Sequence, residues 1–312
     1  MNKILVSGSI AYDHIMHYNG YFHEAILKDN IENLNVSFLI DSKEIHFGGS
    51  GGNIAYNLKL LGEDPILIGS AGKDFGEYKK WIEQKNISLE HIHISDKTYT
   101  ASGLVTTDKK GNQVWNFYPG AMNEDFPIDL TKIKNELSYA IISPDNMERM
   151  RNIIHECKRL KIPYIFDPGQ SIINFSPKQL MECVEGSLAL IVNEYEYSIF
   201  KEKTKWGKTI LINKTTLLIT TLGEKGSIIE TKDTQERIGI VKANTIADPT
   251  GCGDAYRAGI LQGLKKKYSH KKMGQLGALL ATYNIENMGS QNHKFTQKEF
   301  EKRYKNNFCE SL

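Results

Sequence analysis

Short apolar runs alternate with helix-period segments through most of this chain, and that alternation restricts its fold more than any other feature. The runs at 3–8, 65–69, 139–143, 163–167, 188–192 and 217–221 are strand-length, and several lack the polar alternation of a half-exposed strand. Helical spacing fills 53–61, 75–85, 147–160, 177–184 and 194–203 between them, with Asn53 placed to cap the first helix and Gly62 to end it. Strands covered on both faces and joined by helices imply an α/β fold with a doubly wound, mostly parallel sheet. The 312 residues can bury one such domain, spanning 1–312. Two stretches break the rhythm. Residues 33–47 and 101–117 carry β-formers with partial alternation and turn residues such as Lys110-Gly111-Asn112. They read as antiparallel strands off the main sheet, either a small lid over a cleft or edge hairpins without a role in it.

Composition narrows the function classes. A formal net charge of +2 gives no electrostatic footprint for nucleic acid, and the lysines at 265–267 and 271–272 read as solvated helix flanks. No apolar run is long enough for a membrane span, and the N-terminus enters a strand-like run without a signal-peptide pattern. Cys157, Cys183, Cys252 and Cys309 are unpaired in spacing, as expected of reduced thiols in a cytoplasmic protein with no zinc pattern.

The strongest chemical signal is Asp248-Pro249-Thr250-Gly251-Cys252-Gly253-Asp254, with a helix expected from Ala255 to Lys266. A Gly-rich turn at a helix N-terminus aims backbone N–H groups at an anion. A carboxylate at that spot repels a simply bound phosphate. It makes chemical sense if Asp254 accepts a proton from a hydroxyl while the N–H groups hold a phosphoryl group in transfer. The plainer alternative is a capped helix after a tight turn. A second cluster, Gly48-Gly49-Ser50-Gly51-Gly52-Asn53, allows close backbone approach to a ligand. Asp13 follows the first strand, where open α/β sheets bind ligands, so Asp13 and Asn53 are candidates for vicinal hydroxyls. A dinucleotide-binding protein would need Gly-x-Gly-x-x-Gly where Gly8-Ser9-Ile10-Ala11 stands.

Taken together these residues resemble the PfkB/ribokinase family of small-molecule kinases. The 248–259 stretch is similar to its C-terminal signature, and Gly48 through Gly62 to its N-terminal one. Asn193-Glu194-Tyr195-Glu196 is similar to its Asn-x-x-Glu motif, and Thr221-Leu222-Gly223-Glu224-Lys225-Gly226 to its nucleotide segment. Gly72-Lys73-Asp74-Phe75-Gly76 matches a further short element, and the order runs nearly end to end. The resemblance implies a ribokinase-like fold with a lid made from about 12–47 and 98–120. It implies ATP and Mg²⁺, with Asp254 as base and the Gly251, Cys252 and Gly253 amides as an anion hole. Asn193 and Glu196 would shape the Mg²⁺–phosphate environment, Glu196 through metal-bound water. Thr221, Gly223 and Gly226 would lie along ATP. Asp13, Gly49 and Asn53 would hold sugar hydroxyls, and Asp248 and Thr250 a monovalent cation, K⁺. Pro249 and Cys252 depart from the common signature. Pro249 only stiffens the turn, and Cys252 is small enough, although a helix N-terminus also favours a reactive thiolate.

Gly8-Ser9-Ile10-Ala11-Tyr12-Asp13, Leu34-Asn35-Val36-Ser37-Phe38, Phe117-Tyr118-Pro119-Gly120-Ala121-Met122 and Asp167-Pro168-Gly169-Gln170 are similar to segments of the prokaryotic nucleoside kinase branch, which includes adenosine kinase-like proteins. The acceptor implied is the 5′-hydroxyl of a purine ribonucleoside: adenosine first, then inosine or guanosine. The alternative is ribose, fructose or a related furanose. Phe38 or Tyr12 would stack on the base, or else form lid core. The family resemblance leaves a monomer or a homodimer through the lid open.

Overall fold

In β1 (Lys3–Ser7) Ile4 and Val6 enter one hydrophobic cluster while Leu5 enters another, so both faces of the strand are dry. The same division holds in β10 (Ala189–Asn193), with Ile191 on one side and Leu190 and Val192 on the other. Two-sided burial is what removed polar alternation from the sequence. The computed structural model describes residues 3–26 and 34–312, so Asn33 and the part of the expected lid at 27–33 lie outside the described residues.

Among the described residues nine strands form the main sheet. Besides β1 and β10 these are β4 (Pro65–Ala71), β5 (Ile92–Ile94), β8 (Leu137–Ile142), β9 (Tyr164–Phe166), β11 (Leu217–Thr221), β12 (Ser227–Glu230) and β13 (Gln235–Ile238). Their order is β13-β12-β11-β10-β9-β8-β1-β4-β5. All neighbours pair parallel except the β11–β12–β13 meander. Helices α2 (Ser50–Leu60), α8 (Cys252–Lys265) and α9 (His270–Ile285) pack into one cluster. Helices α4 (Met147–Leu160), α5 (Pro177–Val184) and α6 (Glu194–Thr204) pack into the other. Strand order reverses about β1, which lies between β4 and β8. This is the switch point where α/β sheets open a crevice at the carboxyl ends of their strands.

The lid is a separate mixed sheet in the order β3-β2-β6-β7. It comprises β2 (Ala11–Tyr18), β3 (Ile40–Gly48), β6 (Ala101–Thr107) and β7 (Gln113–Tyr118). It is not built of antiparallel pairs alone, because β2 and β6 run parallel. Two helix starts also differ from the sequence reading. Asn53 does not cap α2. The N-cap is Gly49 at φ +85°, and Asn53 sits a turn inside, buried. Gly8 and Gly51 abut closely enough that a Cβ on Gly51 would fall 2.6 Å from the Gly8 carbonyl oxygen, so glycine there lets helical backbone begin early. Likewise α8 starts at Cys252, which places Asp254 in its first turn.

Candidate active site

Gly251 caps α8 at φ +81°, a conformation that favours glycine. The loop before it is pinned from both sides. Asn284 Nδ2 donates to the Thr250 carbonyl at 2.6 Å, and Asp248 accepts from the Thr250 N–H at 2.8 Å and the Gly289 N–H at 3.0 Å. Asp248 therefore ties two loops together, and a cation would share oxygens already engaged. Asn284 Oδ1, buried without a hydrogen-bond partner, is a further oxygen free to ligate a monovalent cation beside this loop. The Cys252 N–H turns back to the Pro249 carbonyl at 3.2 Å. The N–H groups of Gly251, Gly253 and Asp254 have no partner among the described residues, so they are the amides open to an anion.

Asp254 is held by Asn53, whose Nδ2 donates to Oδ2 at 2.8 Å. The Asn53 Oδ1 accepts from Ser290 Oγ at 2.8 Å and Gln291 Nε2 at 3.0 Å, which fixes the amide with its N–H₂ toward Asp254. Burial pushes the Asp254 carboxyl up to about 6; Arg257 and the Asn53 hydrogen bond oppose the rise, and Asp167 and Glu196 add to it. Asp13 is likewise pushed to about 6 by burial, then by Asp248 and Asp254, against the pull of His46.

The lid carries Asp13 on the same face as His46 and Gly103, its register partners in β3 and β6. A Cβ on Gly48 would fall on Asp13 Oδ2, and one on Gly103 would lie 3.2 Å from Asp13 Oδ1 and 3.2 Å from the Trp115 ring. Two glycines thus leave room for the carboxylate. On the same lid face Trp115 and Phe117 stand on β7 across from Val105 and Gly103, 54% and 57% exposed. Tyr12 is not a stacking residue. It is 7% exposed, its hydroxyl donates to the Asp74 carbonyl, and its ring packs with Phe47 and Tyr78. Phe38 packs with Tyr18 and Phe22, as lid core.

Asn193 and Glu196 form a reciprocal capping box at the start of α6. That box engages Glu196 Oε2 at 2.8 Å, while no partner takes Oε1. Burial raises the Glu196 pKa, Asp167 adds to the rise, and Arg257 opposes it. Asn193 is the register partner of Thr221, so both stand at the carboxyl ends of adjacent strands. Beyond Thr221, Gly223 and Gly226 take φ +58° and +85° in the turn into β12. A Cβ on Gly223 would meet nothing within 4 Å, whereas one on Gly226 would collide with the Ile238 carbonyl. Among the described residues no group of three or more His, Cys, Asp and Glu side chains is arranged to hold a metal ion. The sequence reading gave no role to Arg257 or Asp167; it set Gly289-Ser290-Gln291-Asn292-His293 beside the nucleotide and cation sites or else in a plain loop, and did not connect Ser290 and Gln291 to Asn53. Arg257 lies three residues beyond Asp254, one helical turn along the same face, and that spacing was the available signal.

Residues 1–297 match the pattern described as pfkB family carbohydrate kinase. The chain belongs to this family, and it is a phosphotransferase. It is 29% identical to a nucleoside kinase of Methanocaldococcus jannaschii over 301 residues, 93% of each chain. It is 28% identical to an ATP-dependent 6-phosphofructokinase of Thermoanaerobacterium thermosaccharolyticum over 270 residues, 81% of this chain and 83% of the other. The fold superposes on Burkholderia thailandensis nucleoside kinase in complex with inosine at TM-score 0.87 and 32% identity, covering 99% and 100% of the chains. The ADP–inosine complex of that enzyme superposes at TM-score 0.84 and 34% identity, covering 99% and 97%. The ribokinase-like α/β fold with its small lid sheet is therefore established. Among the described residues no helix is long and apolar enough to cross a membrane.

Proposed function

We propose that this pfkB-family kinase phosphorylates the 5′-hydroxyl of a purine ribonucleoside, adenosine or inosine, with ATP as donor. The observation that carries this reading is the lid face that holds Asp13 between two glycines together with the exposed Trp115 and Phe117 rings. A carboxylate accepts from vicinal ribose hydroxyls, and an aromatic face contributes about 1–3 kcal/mol by stacking on a base. A free furanose has no base to use those rings. The relatives that act on or bind nucleosides support the same reading.

In the reaction the acceptor oxygen attacks the γ-phosphorus of ATP in line. The new P–O bond forms, the bond to the ADP oxygen breaks, and the hydroxyl proton passes to Asp254. At neutral pH a carboxyl near 6 is mostly ionised and still basic enough for this role. Gly251 and Gly253 present N–H groups to the phosphoryl oxygens, and Gly49 brings backbone close to the sugar. Asn53 acts chiefly on Asp254: it leaves Oδ1 of the base free for the hydroxyl. Thr221, Gly223 and Gly226 border the nucleotide. The buried Glu196, with one oxygen unpaired, is chemically suited to accept from water on Mg²⁺, and Asn193 holds it in place. Bound Mg²⁺ would neutralise charge on the phosphates. Asp248, the Thr250 carbonyl and Asn284 would supply oxygens to K⁺.

A panel of nucleosides and furanoses with ATP, read by ADP release, tests the acceptor. Higher kcat/KM for ribose or fructose than for every purine nucleoside would overturn the assignment.

A further inference from the structure

Arg257 is 8% exposed and Asp167 is fully buried, at the end of β9. The two form a bidentate pair, Nε to Oδ2 at 2.5 Å and Nη2 to Oδ1 at 2.6 Å. This fork fixes the plane of the guanidinium. The third nitrogen, Nη1, has no hydrogen-bond partner among the described residues, yet it is not sealed off from solvent. Its position is specific. Helical side chains lean toward the N-terminus, so Arg257 reaches back along α8, and Nη1 lies 2.7 Å from where a Cβ on Gly253 would stand. The Gly253 N–H is one of the open amides at that helix end. Glycine there leaves space for the guanidinium beside its own N–H. The carboxylates of Asp254 and Glu196 both act on the Arg257 charge, so the guanidinium is near the base and near the candidate metal-water carboxylate.

A purely structural ion pair would use the fork and bury the remaining nitrogen against carbonyl oxygen. Here the remaining donor makes no hydrogen bond to the described residues and stays open to solvent beside the Gly253 amide, where a ligand oxygen can reach it. We propose that Arg257 is a catalytic residue whose Nη1 donates to an oxygen of the phosphoryl group in transfer, with Asp167 acting as the positioning residue that aims it. The proposal rests on phosphotransfer at the Asp254 turn and is independent of whether the acceptor is a nucleoside or a sugar.

The test compares the wild type with Arg257→Lys and with the double variant Arg257→Gln/Asp167→Asn. The double variant replaces the buried ion pair with a neutral hydrogen-bonded pair, so it serves if the single variant fails to fold. Turnover is measured with the best acceptor of the panel. Binding of ADP and of a non-hydrolysable ATP analogue is measured by calorimetry. The expected result is a folded protein with acceptor KM within about threefold of wild type, kcat reduced about 10²–10³-fold, and analogue affinity reduced more than ADP affinity. A kcat within threefold of wild type in a folded variant would overturn the proposal. So would equal losses of analogue and ADP affinity, because those would mean that Nη1 does not touch the transferred group.

Discussion

Replacing Asp254 by Asn separates the chemistry of the site from its cost to the fold. Burial raises this carboxyl from 3.8 to about 6, so holding it ionised weakens the native state. The sign follows from the direction of the shift. Below about pH 4 the group is protonated in both folded and unfolded chains and no penalty exists. Between about 4 and 6 the unfolded chain loses the proton first, and above about 6 the full penalty applies. That rise in pKa corresponds to ~3 kcal/mol at most. Asp254 is only half-buried by accessible surface, and cleft water screens it, so about 1–2 kcal/mol is the realistic gain. An amide of the same shape keeps the Asn53 contact through its oxygen. The D254N variant should therefore melt about 2–5 °C higher than wild type at pH 8. The difference should shrink as the pH falls toward 5. Turnover should fall about 10²–10⁴-fold, the loss expected when a general base is removed. Calorimetric melts at pH 5 and 8, with ADP release on the same samples, measure both effects. A variant that melts lower than wild type at pH 8, or that gains equally at both pH values, would refute the electrostatic argument. Near-normal turnover would refute the assignment of the base.

Further outcomes follow from the same geometry. Trp115→Ala should raise nucleoside KM about 5–150-fold, the span of one stacking contact, with melting temperature unchanged because the ring is 54% exposed; steady-state kinetics and thermal melts read both. Gly48→Ala places a methyl on Asp13 Oδ2 and should lower kcat/KM about 10²-fold. Gly76→Ala, where a Cβ meets nothing within 4 Å, is the matched control and should leave kcat/KM unchanged. Burial pushes the Cys252 thiol up to about 11, so the helix end does not make it a thiolate. Iodoacetamide at pH 7.5 should react fastest at the exposed Cys309, and a rapid phase that survives Cys309→Ser would contradict this.

The layout of the main sheet was legible because each strand obeys a local rule. Residues 217–221 form β11 as read, and the helices at 147–160 and 177–184 match residue for residue. Their ends carry local signals: Asn146 caps α4, and Ser176 with Pro177 opens α5. The lid was read less well. The polar and half-exposed β2 was not distinguished as a strand, and its parallel pairing with β6 joins segments far apart in sequence. No local pattern encodes that pairing. The start of α2 was misread for a different reason. Asn is a good cap in isolation, but contact with the Gly8 backbone lets the helix begin at Ser50.

The site shows the same division more sharply. Asp254 and its flanking glycines were visible because a turn, a helix end and a carboxylate fall within a few residues. What sets the state of that carboxylate was not visible. Asn53 is 201 residues away in the chain, and Asp167 is 90 residues from Arg257. Either contact follows only once α2, β9 and α8 have been packed around the crevice. The residues hardest to read are therefore those with two plausible local duties, and of these only the Asn53 cap is overturned. Asn53 looked like a cap because it begins an apolar helix, and Glu196 is in fact a capping residue. A cap engages one carboxylate oxygen, however, and Glu196 has two. The second oxygen makes no hydrogen bond to the described residues and is not sealed from water, although the residue as a whole is buried, which leaves it open to a ligand. The same reasoning applies to Nη1 of Arg257. In this cleft, the unpaired atoms of otherwise well-paired buried groups mark where a phosphorylated ligand and its metal would be received.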